Sequence, residues 1–269
     1  GALAQIVVSF KGSKLHADLL RSKATLEVSQ GKYGEALSTF LETHELYEAL
    51  GEERSRAIVL QNIGSLYSDA RDYERVLTYY KQASEAYPED PALALSSHNN
   101  TGNALKELGR YDAAEAEFRA ALEVAEEMGS PLLEARILTN IASTEYLAGD
   151  YGPAEETVRR GLRIAQSSAR EWQPFLYGVR AQIALARGNL GLAQRYLERT
   201  FRDEDLTATS PYFRDFHDTA YEVFSELGDY RLASQHLLAF HRIDDQARDL
   251  SSTANNALLA ARVDAQNRE

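Results

Sequence analysis

Three asparagines, Asn62, Asn100 and Asn140, recur at separations of 38 and 40 residues. Immediately before them stand Gln61, Asn99 and Thr139, and three residues after them Ser65, Asn103 and Ser143. Arg136 lies four residues before Asn140. A carboxamide offers donors and an acceptor together, so a row of them matches the alternating N–H and C=O groups of an extended peptide, and Arg136 is placed to pair with a carboxylate. The same amides could instead bond across neighbouring helices, and the sequence leaves both roles open. Further along, Trp172, Phe175 and Tyr177 form an aromatic cluster. It would either wall the same surface, with Tyr177 as its contributor, or pack in a core.

Other chemistries lack their residues. No glycine-rich phosphate loop, paired-histidine zinc helix or Gly-x-Ser-x-Gly elbow is present. His236 and His241 are five apart and diverge on a helix, so they are expected as surface or half-buried side chains. Glu89-Asp90 and Asp244-Asp245 have no second motif to orient them and are expected in water. Cysteine is absent, which removes disulfides, thiolate metal sites and thiol nucleophiles. The expectation is a non-enzymatic chain with no catalytic residues, no metal and no cofactor. A net charge of −12 argues against broad nucleic-acid binding, and no apolar run approaches the roughly 18 residues of a membrane span.

The elements that would position the amides repeat as well. Gly31-Lys32-Tyr33, Arg71-Asp72-Tyr73, Gly109-Arg110-Tyr111, Gly149-Asp150-Tyr151, Gly188-Asn189-Leu190 and Gly228-Asp229-Tyr230 follow one another every 38 to 40 residues. Seven residues before each turn comes a small residue (Ala24, Gly64, Gly102, Ala142, Ala181), with Tyr221 the exception. Five after it comes Ala36, Val76, Ala114, Ala154, Ala193 or Ala233, and four further a bulky Phe40, Tyr80, Phe118, Val158, Leu197 or Leu237. Each unit therefore reads as two helices joined by a tight turn, with small residues where the backbones approach. The turn tyrosines are expected to pack between units.

The stretches Asn62-Ile63-Gly64 … Tyr67 … Asp72-Tyr73 … Tyr80 … Ala83 … Pro88 and Asn100-Thr101-Gly102-Asn103 … Gly109-Arg110-Tyr111 … Ala114 … Phe118 … Ala121 resemble tetratricopeptide repeats. The resemblance implies an all-α, right-handed α-solenoid of about six helix-turn-helix units over residues 14–245, read as one undivided array. It also implies a concave groove lined by the first helix of each unit. There Gln61, Asn62, Ser65, Asn99, Asn100, Asn103, Arg136, Thr139, Asn140 and Tyr177 would hold a peptide or protein segment. Val179 and Thr219 replace the asparagine in the last two units, so the row should end in the middle of the array.

The ends carry further expectations. Ala2-Leu3-Ala4 in the tail 1–13 is similar to the end of a secretory signal peptide, which points to a periplasmic or otherwise exported chain; the alternative is cytoplasmic. From Ile243 onward Leu250, Ala254, Ala257, Leu258, Ala261 and Val263 form an apolar stripe, read as a connecting helix over 246–269 that caps the array and then leaves it. The whole is similar to the sensory region of bacterial signalling proteins of the diguanylate cyclase or histidine kinase type, with membrane attachment only through segments outside this sequence. The expected function is a peptide-binding interaction module; the alternative is a scaffold that dimerises through the terminal helix.

Overall fold

The computed structural model describes residues 11–266. The signal-like Ala2-Leu3-Ala4 lies outside them. Among the described residues the chain is helical with no strand. Twelve α-helices follow in pairs: α1 (Lys14–Ser29) with α2 (Tyr33–Ala49), α3 (Glu53–Asp69) with α4 (Tyr73–Ala86), α5 (Pro91–Glu107) with α6 (Tyr111–Glu127), α7 (Pro131–Ala148) with α8 (Tyr151–Ser168), α9 (Gln173–Ala186) with α10 (Leu190–Thr200), and α11 (Arg214–Glu226) with α12 (Tyr230–Gln266). This is the expected solenoid of helical pairs. The helices fall into two compact units, one of residues up to Leu108 together with those from Asp249, the other Gly109–Arg248.

Local chemistry sets the helix boundaries. Ser13 caps α1 by accepting from the His16 N–H at 3.2 Å, and Asp90 caps α5 by accepting from the Ala92 and Leu93 N–H groups, with Pro91 in the first turn. At the turn within each pair the chain needs one left-handed residue, and Gly31, Gly109, Gly149, Gly188 and Gly228 supply it. The second pair places Arg71 there at φ 57°, the one non-glycine residue with positive φ in the described chain. A side chain in that region costs about 1 kcal/mol. Arg71→Gly is therefore expected to raise the midpoint of chemical denaturation by a comparable amount, and a lowered midpoint would show that the arginine side chain has a stabilising contact larger than its backbone strain.

The small–large pattern packs as its spacing requires. Ala24, Ala36 and Phe40 are buried in the first pair, Ala142, Ala154 and Val158 in the fourth. The sixth pair departs from it: Tyr221 is exposed, Ala220 beside it is buried, and His236 takes the interior place expected of Leu237. Tyr33 is buried and Tyr73, Tyr111 and Tyr151 are half-buried, but Tyr230 is 74% exposed.

The terminal segment differs from expectation. The boundary at 245/246 falls inside α12, which is continuous. The stretch beyond Asp249 does not leave the array. Ala254 and Leu258 are buried in the same cluster as Tyr33, Leu37, Ile63 and Tyr67, with Ala257 and Ala261 packed against it. The Ser251 hydroxyl donates to the Ala70 carbonyl at 3.3 Å. Gly34 makes room for this approach: a Cβ there would lie 3.0 Å from the Ala257 carbonyl oxygen.

Candidate functional site

In the unit that begins at α1, the amide row lies on the first helices α3 and α5. Successive residues on a helix are rotated by about 100°, so Gln61 and Asn62 cannot share a face, whereas Asn62 with Ser65 and Asn100 with Asn103 can. The side chains divide accordingly. Gln61 is buried, and its amide donates to the Leu93 carbonyl at 2.8 Å and the Ser97 hydroxyl at 2.9 Å, stapling α3 to α5. Asn99 is also buried and its amide lies 3.4 Å from the Asn100 carbonyl oxygen. Asn62, Asn100 and Asn103 are partly accessible and Ser65 is exposed.

Behind the accessible residues stands a group the sequence reading assigned only to packing. Tyr80 of α4 is buried, yet its hydroxyl lies 3.0 Å from the Ser65 hydroxyl and accepts from the Asn100 amide at 3.0 Å. Burial pushes its phenol pKa up, so it stays a neutral hydroxyl. The ring also closes over Gly64, where a Cβ would fall 2.7 Å from it. Tyr80 thereby orients Asn100 and Ser65 from two helices with one side chain and limits their rotamer freedom.

In the unit Gly109–Arg248 the corresponding helices are α7, α9 and α11. Arg136 and Asn140, one turn apart on α7, are both half-buried. The Arg136 Nε is enclosed with no hydrogen-bond partner, and burial lowers the guanidinium's pKa. Thr139 turns inward and donates to the Ala135 carbonyl at 2.8 Å. Tyr177 of α9 stacks on Tyr196 of α10 with centroids 6.2 Å apart. Its hydroxyl accepts from Arg199 at 3.2 Å, and the Arg199 guanidinium lies 5.1 Å from its ring. Tyr177 therefore belongs to a cation–aromatic stack. Phe175 and Trp172 pack on each other at 5.2 Å, and Phe175 on Phe213 at 4.8 Å. Val179 and Thr219 are buried, so the accessible row ends at α7 within this unit.

Two features of this unit lay outside the sequence reading. Asp215, Asp218 and Glu222 are exposed on one side of α11. With burial and Tyr151 they raise the pKa of Tyr146. Their i, i+3, i+7 spacing was available in the sequence as a signal. The second feature was not. His217 and His236 are both buried, with their Nδ1 atoms 2.8 Å apart. The His217 Nε2 lies 2.7 Å from the Thr209 hydroxyl, and Arg242 donates to that threonine's carbonyl and hydroxyl oxygens at 3.1 Å each. Phe201 and Phe224 pack on the imidazoles. His236 is thus an interior group and not a surface one. Its partner His217 lies on α11, whereas His241, five residues along α12, is exposed and diverges from it as the spacing required.

Among the described residues no group of three histidines, cysteines or carboxylates is placed to hold a metal ion, and no helix is long and apolar enough to cross a membrane. A photosystem I assembly protein, Ycf3 of Rippkaea orientalis (strain PCC 8801 / RF-1), is 32% identical over 99 residues, which cover 35% of this chain and 55% of that one. The chain thus spans about half the length of this curated relative. A Rap protein complexed with competence and sporulation factor has the same fold, with a TM-score of 0.59 at 16% identity over 92% of this chain and 80% of that one. A tetratricopeptide repeat protein from Parabacteroides merdae ATCC 43184 aligns with a TM-score of 0.63 at 20% identity, over 90% and 85% of the two chains. The sequence profile of the tetratricopeptide repeat family matches residues 15–89 and 93–167, more than half of the 269 residues. With its paired helices and its recurring turn, the chain belongs to the tetratricopeptide repeat family.

Proposed function

We propose that this protein is a non-enzymatic interaction module that holds an extended peptide or protein segment on the accessible faces of its first helices, and that it serves as the sensory part of an exported bacterial signalling protein. The observation that carries the binding role is the pair Ser65 and Asn100, held from two helices by the Tyr80 hydroxyl beside the accessible Asn62 and Asn103. A buried tyrosine holding an accessible amide and a hydroxyl in place is preorganisation toward a polar partner; an amide needed only for helix packing would turn inward, as Gln61 does. The fold it shares with a Rap protein complexed with competence and sporulation factor supports the reading. The other unit has, by itself, a cation at Arg136 one turn from Asn140, matched to an acidic residue or a terminal carboxylate.

A peptide array followed by calorimetry on the best binder tests this. Each lost hydrogen bond is worth about 1 kcal/mol, so Asn62→Ala with Asn100→Ala should weaken the selected peptide about tenfold or more. Arg136→Ala should act selectively on peptides with a carboxylate. Unchanged affinity in both variants would reject the groove assignment. The scaffold reading keeps one supporting observation, since Leu250, Leu259 and Val263 remain exposed on α12. Light scattering of the full chain and of Leu259→Arg separates it: a dimer that the substitution dissociates would favour the scaffold.

A further inference from the structure

In the unit Gly109–Arg248 a cleft of about 310 Å³ opens between α6 and α8 over the C-terminal half of α7. None of the amide-row residues lines it. Its floor is apolar, formed by Leu122, Leu138 and Ile141, and it ends on Glu145. Glu145 is only 2% exposed. Its Oε1 accepts from Arg119 at 3.3 Å, while its Oε2 is enclosed with no hydrogen-bond partner among the described residues. Burial raises the pKa of this carboxyl, the Thr157 hydroxyl at the cleft wall opposes that by bonding toward it, and Glu115 adds to the rise. A buried acceptor left unsatisfied costs of order 1–3 kcal/mol, which a donor entering the cleft would offset.

The rim has the opposite character. Arg119, Arg160 and Arg163 line it, together with one carboxylate, Glu156, which is paired with Arg159. Arg119 is held by Glu115 and Arg160 by Glu126, whereas Arg163 is exposed and makes no ion pair among the described residues. A cation would have to pass three guanidiniums to reach Glu145. A simple anion would be held at the rim and would leave the Glu145 oxygen unsatisfied. The arrangement is complemented only by a molecule with a donor at one end and an anionic group at the other, and the volume is at the small end of ligand pockets. We propose that this cleft is a binding site for a zwitterion of amino-acid size, its carboxylate on Arg163 and the rim, its ammonium or amide donor on the Glu145 Oε2.

The site is read by amide chemical shifts of the full chain titrated with L-glutamine, butylammonium and inorganic phosphate. Glutamine, a neutral zwitterion with an amide, is expected to move signals of α6, α7 and α8 and to saturate at or below about 10 mM. Butylammonium and phosphate, which each carry only one of the two ends, should bind about tenfold more weakly, and Arg163→Ala and Glu145→Gln should each weaken glutamine by about tenfold, the usual worth of one charge-assisted bond. The proposal is overturned by the absence of any shift with glutamine, by butylammonium or phosphate binding as well as glutamine does, or by unchanged glutamine affinity in Arg163→Ala. Arg163 is a surface side chain, so its substitution decides the matter even where Glu145→Gln does not fold.

Discussion

Replacing Leu258 by alanine is expected to destabilise the unit built on α1–α5 by about 3 kcal/mol, the usual cost of removing a buried leucine side chain and leaving its cavity. Leu258 is fully enclosed in the cluster that contains Tyr33, Leu37 and Tyr67, although more than 180 residues of chain separate it from them. Chemical denaturation followed by far-ultraviolet dichroism measures the loss. Leu259→Ala, one residue on and exposed, is the control and should change stability by less than about 0.5 kcal/mol. Equal effects of the two substitutions would mean that the terminal stretch does not dock as described. Ending the chain at residue 248 should be more disruptive than either, because it removes Ala254, Leu258 and the Ser251 bond to Ala70 together and exposes the aromatic cluster to water. A truncated chain that associates would thus be reporting an uncovered core, and dimerisation is better tested by surface substitution.

Acidification should weaken the unit Gly109–Arg248 well before ordinary carboxylates are protonated. His217 is pushed down to about 3, first by burial and then by the neighbouring His236 and the Arg242 cation, and His236 is pushed down to about 4 by burial. Both are therefore neutral in the folded protein at neutral pH. In the unfolded chain they titrate near the ordinary imidazole value of about 6.5, so the unfolded state binds more protons below that pH. Stability is then full above about pH 6.5 and falls as the pH drops from there toward 4, by at most about 1.4 kcal/mol per pH unit for each histidine. Geometry adds to this. Between two Nδ1 atoms 2.8 Å apart only one can carry a hydrogen, so full protonation would set two N–H groups against each other. Arg242 faces Thr209 from α12, and Thr209 in turn faces His217. Aromatic rings of Phe201 and Phe224 complete the surroundings. Melting temperatures recorded between pH 7.5 and 4.5 check the sign, and His236→Gln should flatten the profile by about half. An identical profile in that variant would assign the acid sensitivity elsewhere.

The architecture was legible in the sequence because a repeat states the same local problem many times. Each turn needs a left-handed residue and each helix crossing needs a small one, so Gly109 and Ala114 or Gly149 and Ala154 announce the same geometry at the same spacing. The amide row was legible as a row, and its division into accessible Asn62 and Asn100 against inward Gln61 and Asn99 follows from helical rotation alone. Tyr80 was legible as a packing residue; its hydroxyl's role was not, since that depends on which polar atoms two other helices bring to it.

What the sequence by itself determined, then, is the part governed by contacts between neighbours in the chain: the helical pairs, their turns and the positions of the amides. Only the tertiary structure decided which distant segments meet. It returned Ala254 and Leu258 to the first helices, joined His217 to His236, and left Glu145 unsatisfied at the end of a cleft. The reason is physical. Local geometry is fixed by a few dihedral angles and repeats with the sequence, whereas a long-range contact depends on the accumulated placement of every intervening helix, and no spacing of residue types records that sum.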